Sequence, residues 1–100
     1  MEATSNVQGS KAVVELQGKL TVQSVDVLEE TLSSIPEEAC DFDIDMSQVD
    51  YVSSAGLRLL MSASKTAIRR GGVLRVLYPQ DDVMDVFDIT GIAGVVTVVR

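Results

Sequence analysis

Residues 41–57, DFDIDMSQVDYVSSAGL, contain a strand pattern that is followed by the start of a helix. From Asp41 to Met46 apolar and acidic residues alternate without exception, which predicts a strand with an apolar face and three aspartates in water. Replacement of Asp43 by alanine is then expected to cost well under about 1 kcal/mol of stability. After a loop, Ser54-Ala55-Gly56 is expected to open a long helix.

The helix that begins near Ser54 has an apolar stripe at steps of three and four residues, as a helix packed on a core requires. Replacing Leu60 in this stripe by alanine is expected to cost about 2–5 kcal/mol if the side chain is buried. Cations gather in the last turns, where they suit the helix dipole, and Gly71-Gly72 supplies the exit. The expected stripe consists of Leu57, Leu60, Met61, Ser64 and Ile68, and the cations are Lys65, Arg69 and Arg70.

The remaining segments alternate between strand and helix patterns. Strands are predicted over residues 12–17, 73–78 and 95–99, and helices between the N-cap Ser24 and Pro36 and between Asp81 and Gly91. Residues 1–11 are expected to form either a short edge strand or a flexible tail. This order predicts an α/β fold with parallel neighbouring strands. Residues 1–100 are interpreted as a single domain, because no linker or repeat divides them.

The net charge of −7 is unevenly distributed along the chain. Residues 1–50 hold two basic and eleven acidic side chains, whereas residues 51–100 hold six basic and four acidic ones. The acidic balance argues against binding to nucleic acid or to an anionic membrane. The asymmetry indicates either a partner contacted through one charged face or simply solvated surfaces. The single cysteine, Cys40, and the lack of a long apolar segment favour a cytoplasmic location.

Several familiar kinds of catalytic and metal site are excluded by the sequence. There is no histidine, so Ser-His-Asp and Cys-His catalytic arrangements cannot form. The series Asp41, Asp43, Asp45 matches the opening of a calcium loop, but Met46 and Val52 stand where that loop needs glycine and glutamate. No glycine-rich phosphate loop is present. The sequence therefore favours binding over catalysis, and no cofactor or metal is expected.

Two adjacent hydroxyls, on Ser53 and Ser54, stand where the chain enters the predicted helix. The first backbone N–H groups of a helix have no intrahelical partners, so a serine there caps them or carries a phosphate that they complement. The small residues Ala55 and Gly56 leave room for the backbone of another protein. The residues alone leave two interpretations open, a simple helix cap and a phosphorylated docking site.

Residues 45–57, DMSQVDYVSSAGL, resemble the signature of the STAS-domain anti-sigma factor antagonist family. In that family a strand ending in Asp-(aliphatic)-Ser leads to a Ser/Thr-x-Gly-Leu turn and a helix. Gly18-Lys19-Leu20, Gly71-Gly72 and the segment 86–91 fall where the family has similar features, so the resemblance covers nearly the whole chain. It implies the STAS fold, a mixed four- to five-stranded sheet with helices packed mainly on one face.

The resemblance also implies partner switching as the function. The unphosphorylated protein would bind an anti-sigma factor that is also a serine kinase, and so release the sigma factor. Phosphorylation of the matching residue, Ser54, would separate the complex, and a PP2C-type phosphatase would restore the antagonist. The domain would be a substrate and a ligand, and not an enzyme. The implied partner-binding residues are Thr21, Asp50, Ser53, Ser54, Ala55, Gly56 and Arg58.

The sequence departs from the family pattern at two positions. Many members have an acid immediately before the phosphorylated residue and another after the early strand exit, where this chain has Ser53 and Thr21. Ser53 is therefore a secondary candidate for phosphorylation. The alternative function is a STAS scaffold subunit of a sensory or lipid-transport complex, without a phosphate cycle. A small enzyme that uses carboxylates alone is a third class.

Overall fold

The computed structural model describes all residues, 1–100, as five strands and three helices. The strand that begins the chain is one of the two alternatives expected for residues 1–11. None of the helices is long and apolar enough to span a membrane. The elements are β1 (Glu2–Gln8), β2 (Lys11–Leu20), α1 (Val25–Ser33), β3 (Asp41–Val52), α2 (Ser54–Arg69), β4 (Leu74–Leu77), α3 (Asp81–Thr90) and β5 (Thr97–Val99), with a short 3-10 turn at Ile92–Gly94.

The strands form one sheet in the order β1-β2-β3-β4-β5. β1 is antiparallel to β2, and the four strands from β2 to β5 are parallel to one another. The helices α1, α2 and α3 each connect one parallel strand to the next, and all three connections move across the sheet in the direction from β2 to β5. Because such crossovers are right-handed, all three helices lie on one face of the sheet. The predicted mixed α/β sheet with helices on one face is confirmed.

The core lies between this helical layer and the sheet. Alternate residues of the central strands point into it, including Val14, Ile44 and Val76, which are fully buried. Leu28 and Leu60 of the helices meet them from the other side. The strand alternation predicted for residues 12–17 and 41–46 is therefore correct for the apolar side chains.

The predicted stripe of α2 is correct at one edge and wrong at the other. Leu57, Leu60 and Ser64 are buried, Met61 is half-buried, and Ile68 is 61% exposed. Successive residues of a helix are rotated by about 100°, so residue 68 lies about 80° from residue 60, at the boundary of the buried face and in the last turn of α2, where its side chain reaches solvent. The core positions that the apolar pattern missed are the small residues Gly56, Ala63 and Ala67.

The loop expected between Met46 and Ser54 is instead the second half of a strand. β3 runs for twelve residues and stays paired with β2 as far as Leu20 and Val52. Two register irregularities, between Glu15 and Gln17 and between Gly18 and Lys19 of β2, allow this pairing to continue. They also break the strict alternation of buried and exposed residues in β3 after residue 46. Residues 47–52 therefore lack the sequence pattern that predicts a strand.

The prediction that all three aspartates of residues 41–46 lie in water is wrong for Asp43, which is 3% exposed. Its carboxylate accepts two hydrogen bonds from the Arg75 guanidinium, both at 2.7 Å, and pairs with Lys11 Nζ at 2.9 Å. The cause is its central position, because the side chains of both neighbouring strands flank it. Burial would raise the pKa of Asp43, but the bonds and charges of Arg75 and Lys11 outweigh it and hold the pKa below its ordinary value.

Candidate functional site

The predicted site lies where β2 and β3 end side by side. Leu20 and Val52 are paired residues at the ends of these parallel strands, and the N–H of Ser53 donates to the carbonyl of Leu20 at 2.8 Å. Thr21 and Ser53 therefore leave the sheet next to each other. The carboxyl ends of parallel strands are where α/β sheets commonly bind their ligands.

Ser53 is the N-cap of α2. Its backbone is extended, with φ −85° and ψ 171°, and its Oγ accepts a hydrogen bond from the N–H of Gly56 at 3.3 Å. Its carbonyl accepts the N–H of Leu57 at 3.0 Å. The hydroxyl of Ser53 is therefore committed to closing the first turn of the helix.

Ser54 is the first residue of α2, and its side chain is exposed. Its hydroxyl makes no hydrogen bond within the protein, in contrast to that of Ser53. The first turn of α2 contains no acidic residue, and Arg58 lies exposed one turn along. A negative charge on Ser54 would meet the positive end of the helix dipole, and no acidic side chain of the first turn would repel it.

Gly56 allows the start of α2 to rest directly on the ends of the strands. It is buried, and an added Cβ would lie 2.7 Å from Cγ of Leu20 and 3.2 Å from Cγ1 of Val52. The first distance is shorter than real Cβ contacts and the second is tighter than most, so the glycine is favoured by close approach and not by backbone conformation. Ala55, beside it, is half-buried.

Thr21 belongs to a loop that is closed by its own hydrogen bonds. Its N–H donates to Ser24 Oγ at 2.9 Å, and its Oγ1 accepts the N–H of Gln23 at 3.2 Å. Ser24 Oγ in turn donates to the carbonyl of Lys19 at 2.7 Å. Ser24 precedes α1 as predicted for an N-cap, but its side chain makes no capping bond because it closes this loop instead.

Five of the seven predicted partner-binding residues lie at this edge of the sheet. They are Thr21, Ser53, Ser54, Ala55 and Gly56. Asp50 lies two residues before the end of β3, exposed, and pairs with Lys19 Nζ at 3.1 Å. Arg58 makes no ion pair and extends the site along α2. Lys19 is a neighbour that was not singled out from the sequence, although it lies within the Gly18-Lys19-Leu20 exit.

Two exposed apolar side chains flank the serines and were also missed. Val22, in the loop after β2, is 71% exposed, and Tyr51, near the end of β3, is 50% exposed. Apolar and aromatic side chains beside polar groups are typical of surfaces that bind proteins. The only sequence signal for Val22 is an apolar residue in a polar loop, and residues 47–52, which include Tyr51, lack the alternation that indicates a strand.

Comparisons with known proteins agree with one another. The family model described as "Mlab, STAS domain" matches residues 3–99. The Anti-sigma-B factor antagonist of Bacillus subtilis (strain 168) is 29% identical over 85 residues, which cover 85% of this chain and 78% of that protein. An anti-sigma factor antagonist from Mycobacterium paratuberculosis superposes with a TM-score of 0.85 at 17% identity, covering 98% of this chain and 84% of the other.

The anti-sigma factor antagonist SpoIIAA has a similar structure in two chemical states. Its unphosphorylated form superposes with a TM-score of 0.82 at 17% identity, covering 98% of this chain and 88% of the other. The phosphorylated form, from Bacillus, gives a TM-score of 0.74 at 16% identity and covers 98% and 91%. At these identities the likeness shows a common fold.

Proposed function

This chain belongs to the STAS domain family, as the resemblance of residues 45–57 predicted. We propose that it is an anti-sigma factor antagonist that is switched by phosphorylation of Ser54. Unphosphorylated, it binds an anti-sigma factor and so releases a sigma factor. The name of the Bacillus subtilis relative supports this class of function, and the match covers most of both chains. The seven residues Thr21, Asp50, Ser53, Ser54, Ala55, Gly56 and Arg58 form the proposed partner-binding surface.

The different roles of the two serines carry this proposal. The Ser53 hydroxyl accepts the N–H of Gly56, so transfer of a phosphoryl group from ATP to this hydroxyl would compete with the helix cap. The Ser54 hydroxyl is exposed and unbonded, and a kinase reaches it without breaking any interaction of the fold. Ser54 is thus the favoured acceptor, and Ser53 the helix cap.

A phosphate on Ser54 would change the surface strongly and the fold little. It adds a charge of about −1.5 to −2, which the helix dipole complements and no acid in the first turn opposes. Docked against a partner, the same phosphate must lose water. A penalty of about 3–5 kcal/mol would weaken binding by about 100- to 1,000-fold or more.

The exposed apolar groups fit a protein as the partner. Val22 and Tyr51 provide contact area near the exposed Ser54 and the half-buried Ala55. The expectation that Gly56 leaves room for another backbone is wrong, because Gly56 is buried against Leu20 and Val52 of this chain. The partners in the proposed cycle are an anti-sigma factor that is also a serine kinase and a PP2C-type phosphatase. The domain acts in the cytoplasm as their ligand and substrate, without a cofactor and without catalysis of its own.

Incubation with ATP and the anti-sigma factor kinase of the same bacterium, followed by mass mapping, tests the acceptor. Wild type and Ser53→Ala are expected to take one phosphate on Ser54, and Ser54→Ala is expected to take none. The Ser53→Ala variant is the matched control, since it removes the adjacent hydroxyl and leaves the acceptor.

Phosphate on Ser53 in the wild type would reverse the assignment of the two serines. No phosphorylation of any variant, combined with a stable complex with a transporter or sensor subunit, would support the scaffold function in its place.

A further inference from the structure

The outer side of β1 is an open edge of the sheet. β1 is the first strand in the sheet order, and its seven residues pair with β2 alone. The opposite edge is formed by β5, which is only three residues long. Short edge strands resist pairing with other chains, whereas a long edge strand exposes a row of unpaired backbone groups.

β1 carries few of the features that usually protect an edge strand. It has no proline and no lysine, and its register with β2 is continuous from Glu2 to Gln8 without a bulge. Glu2, at its first position, is its only charged residue. Ser5, at its centre, is exposed. Such a strand is able to pair with another.

The hairpin between β1 and β2 decides which backbone groups point outward. Its loop is the two residues Gly9 and Ser10, so Gln8 and Lys11 form the hydrogen-bonded pair that flanks a two-residue turn. In an antiparallel ladder such pairs alternate, so even-numbered residues of β1 bond to β2. The N–H and C=O groups of Ala3, Ser5 and Val7 therefore point away from the sheet.

We propose that the chain forms a homodimer by antiparallel pairing of two β1 strands around a two-fold axis at Ser5. In this register Ser5 faces Ser5 of the second copy, and Ala3 faces Val7 of the second copy. Each facing pair exchanges two hydrogen bonds, and every outward group of β1 finds a partner. Centring the axis on Ala3 or Val7 would leave outward groups at one end unpaired.

The side chains of β1 suit this self-pairing. Glu2, the only charge, faces Gln8 of the second copy, and Thr4 faces Asn6, so no like charges meet across the axis. The pairing uses the backbone of β1 and none of the residues 53–58. Two five-stranded sheets become one continuous sheet that carries two copies of the Ser54 site.

A strand pair is a small interface, so the dimer is expected to be weak and concentration-dependent. Each copy has a net charge of −7, and repulsion between the copies falls as salt screens it. The dissociation constant is therefore expected to decrease as ionic strength rises. Binding carried by ion pairs would show the opposite salt dependence.

Sedimentation velocity from about 1 µM to 1 mM protein tests the dimer, with Ser5→Pro and Ser5→Ala as a matched pair. Proline removes the outward N–H of residue 5 from both copies and leaves the bonds to β2 intact, as edge strands tolerate. We expect Ser5→Pro to raise the dissociation constant at least about tenfold and Ser5→Ala to leave it unchanged. Circular dichroism checks that both variants are folded.

A cysteine crosslink tests the register independently of Ser5→Pro. In a Cys40→Ser background, Ser5→Cys places two thiols on residues whose Cα atoms are about 5.5 Å apart, within disulfide range. Gln8→Cys is the control, because in this register its two copies lie about 20 Å apart. A crosslink at residue 5 and none at residue 8 supports the proposal. A monomer up to about 1 mM, a dimer that survives Ser5→Pro, or equal crosslinking of both variants would overturn it.

Discussion

Replacement of Asp43 by alanine is expected to lower the free energy of unfolding by about 2–3 kcal/mol. The substitution removes a carboxylate that accepts two hydrogen bonds from Arg75 at 2.7 Å and forms an ion pair with Lys11 at 2.9 Å. Charge-assisted bonds contribute about 1.5–3 kcal/mol each, so the gross loss is larger than the expected net value.

Two effects reduce the gross loss. The side chains of Arg75 and Lys11 are 36% and 47% exposed, so water replaces part of what the carboxylate supplied. Alanine also removes the cost of burying a side chain that is only 4% exposed. The expected net loss in the free energy of unfolding is therefore smaller than the sum of the lost interactions of the carboxylate.

The pH dependence has a definite sign because the pKa of Asp43 is lowered in the folded protein. Its stabilisation is complete above about pH 5, where the carboxyl is almost fully ionised even in the unfolded chain. The stabilisation is lost as the pH falls through the lower folded pKa. The difference in stability between wild type and Asp43→Ala should therefore begin to shrink below about pH 5 and should be smallest in strong acid.

Urea unfolding of both proteins over a range of pH measures these quantities. Glu15→Ala is the control, since Glu15 is exposed on β2 and makes no ion pair, and its loss should cost within about 0.5 kcal/mol. A loss below about 1 kcal/mol for Asp43→Ala, or a difference that is unchanged into strong acid, would refute this energetic role of Asp43.

Three further substitutions, two of them with a matched control variant, probe the core and the site by urea unfolding. Leu60→Ala should cost about 2–5 kcal/mol because Leu60 is fully buried, and Ile68→Ala should cost far less; equal losses would contradict the observed stripe. Gly56→Ala should cost about 1–3 kcal/mol through overpacking, whereas Gly94→Ala meets no atom within 4 Å and should cost little. Ser53→Ala should cost about 1 kcal/mol through the lost cap, and an unchanged stability would mean that the cap bond is absent in solution.

The order and type of the strands and helices were predictable because the apolar residues of most segments recur with the period of the face that is buried in the core. Residues 12–17 and 41–46 alternate, and Gly71 and Gly91, both with positive φ, end their helices. Asp43 could not be predicted in the same way, since its burial depends on Arg75, which is distant in sequence and adjacent in the sheet. Ile68 failed because small residues, and not large apolar ones, fill the stripe at Ala63 and Ala67.

The position of the site was predictable from a local pattern. The different roles of Ser53 and Ser54 within it were not. Paired hydroxyls directly before a segment with helical apolar periodicity are a local signal of a helix start. Which hydroxyl caps the helix depends on where α2 begins, and a shift of one residue would exchange the two roles. The exposure of Tyr51 and the pairing of Lys19 depend on the continued pairing of β2 and β3, which the broken alternation concealed.

Titration calorimetry of the anti-sigma factor against Ser54-phosphorylated and unphosphorylated protein tests the central proposal most directly. Ser54→Ala should bind as tightly as the unphosphorylated protein, and Ser54→Asp should bind weakly while remaining folded. Phosphorylation is expected to weaken binding by about 100-fold or more. Equal affinity of the two forms, with phosphate mapped to Ser54, would contradict a switch at this residue.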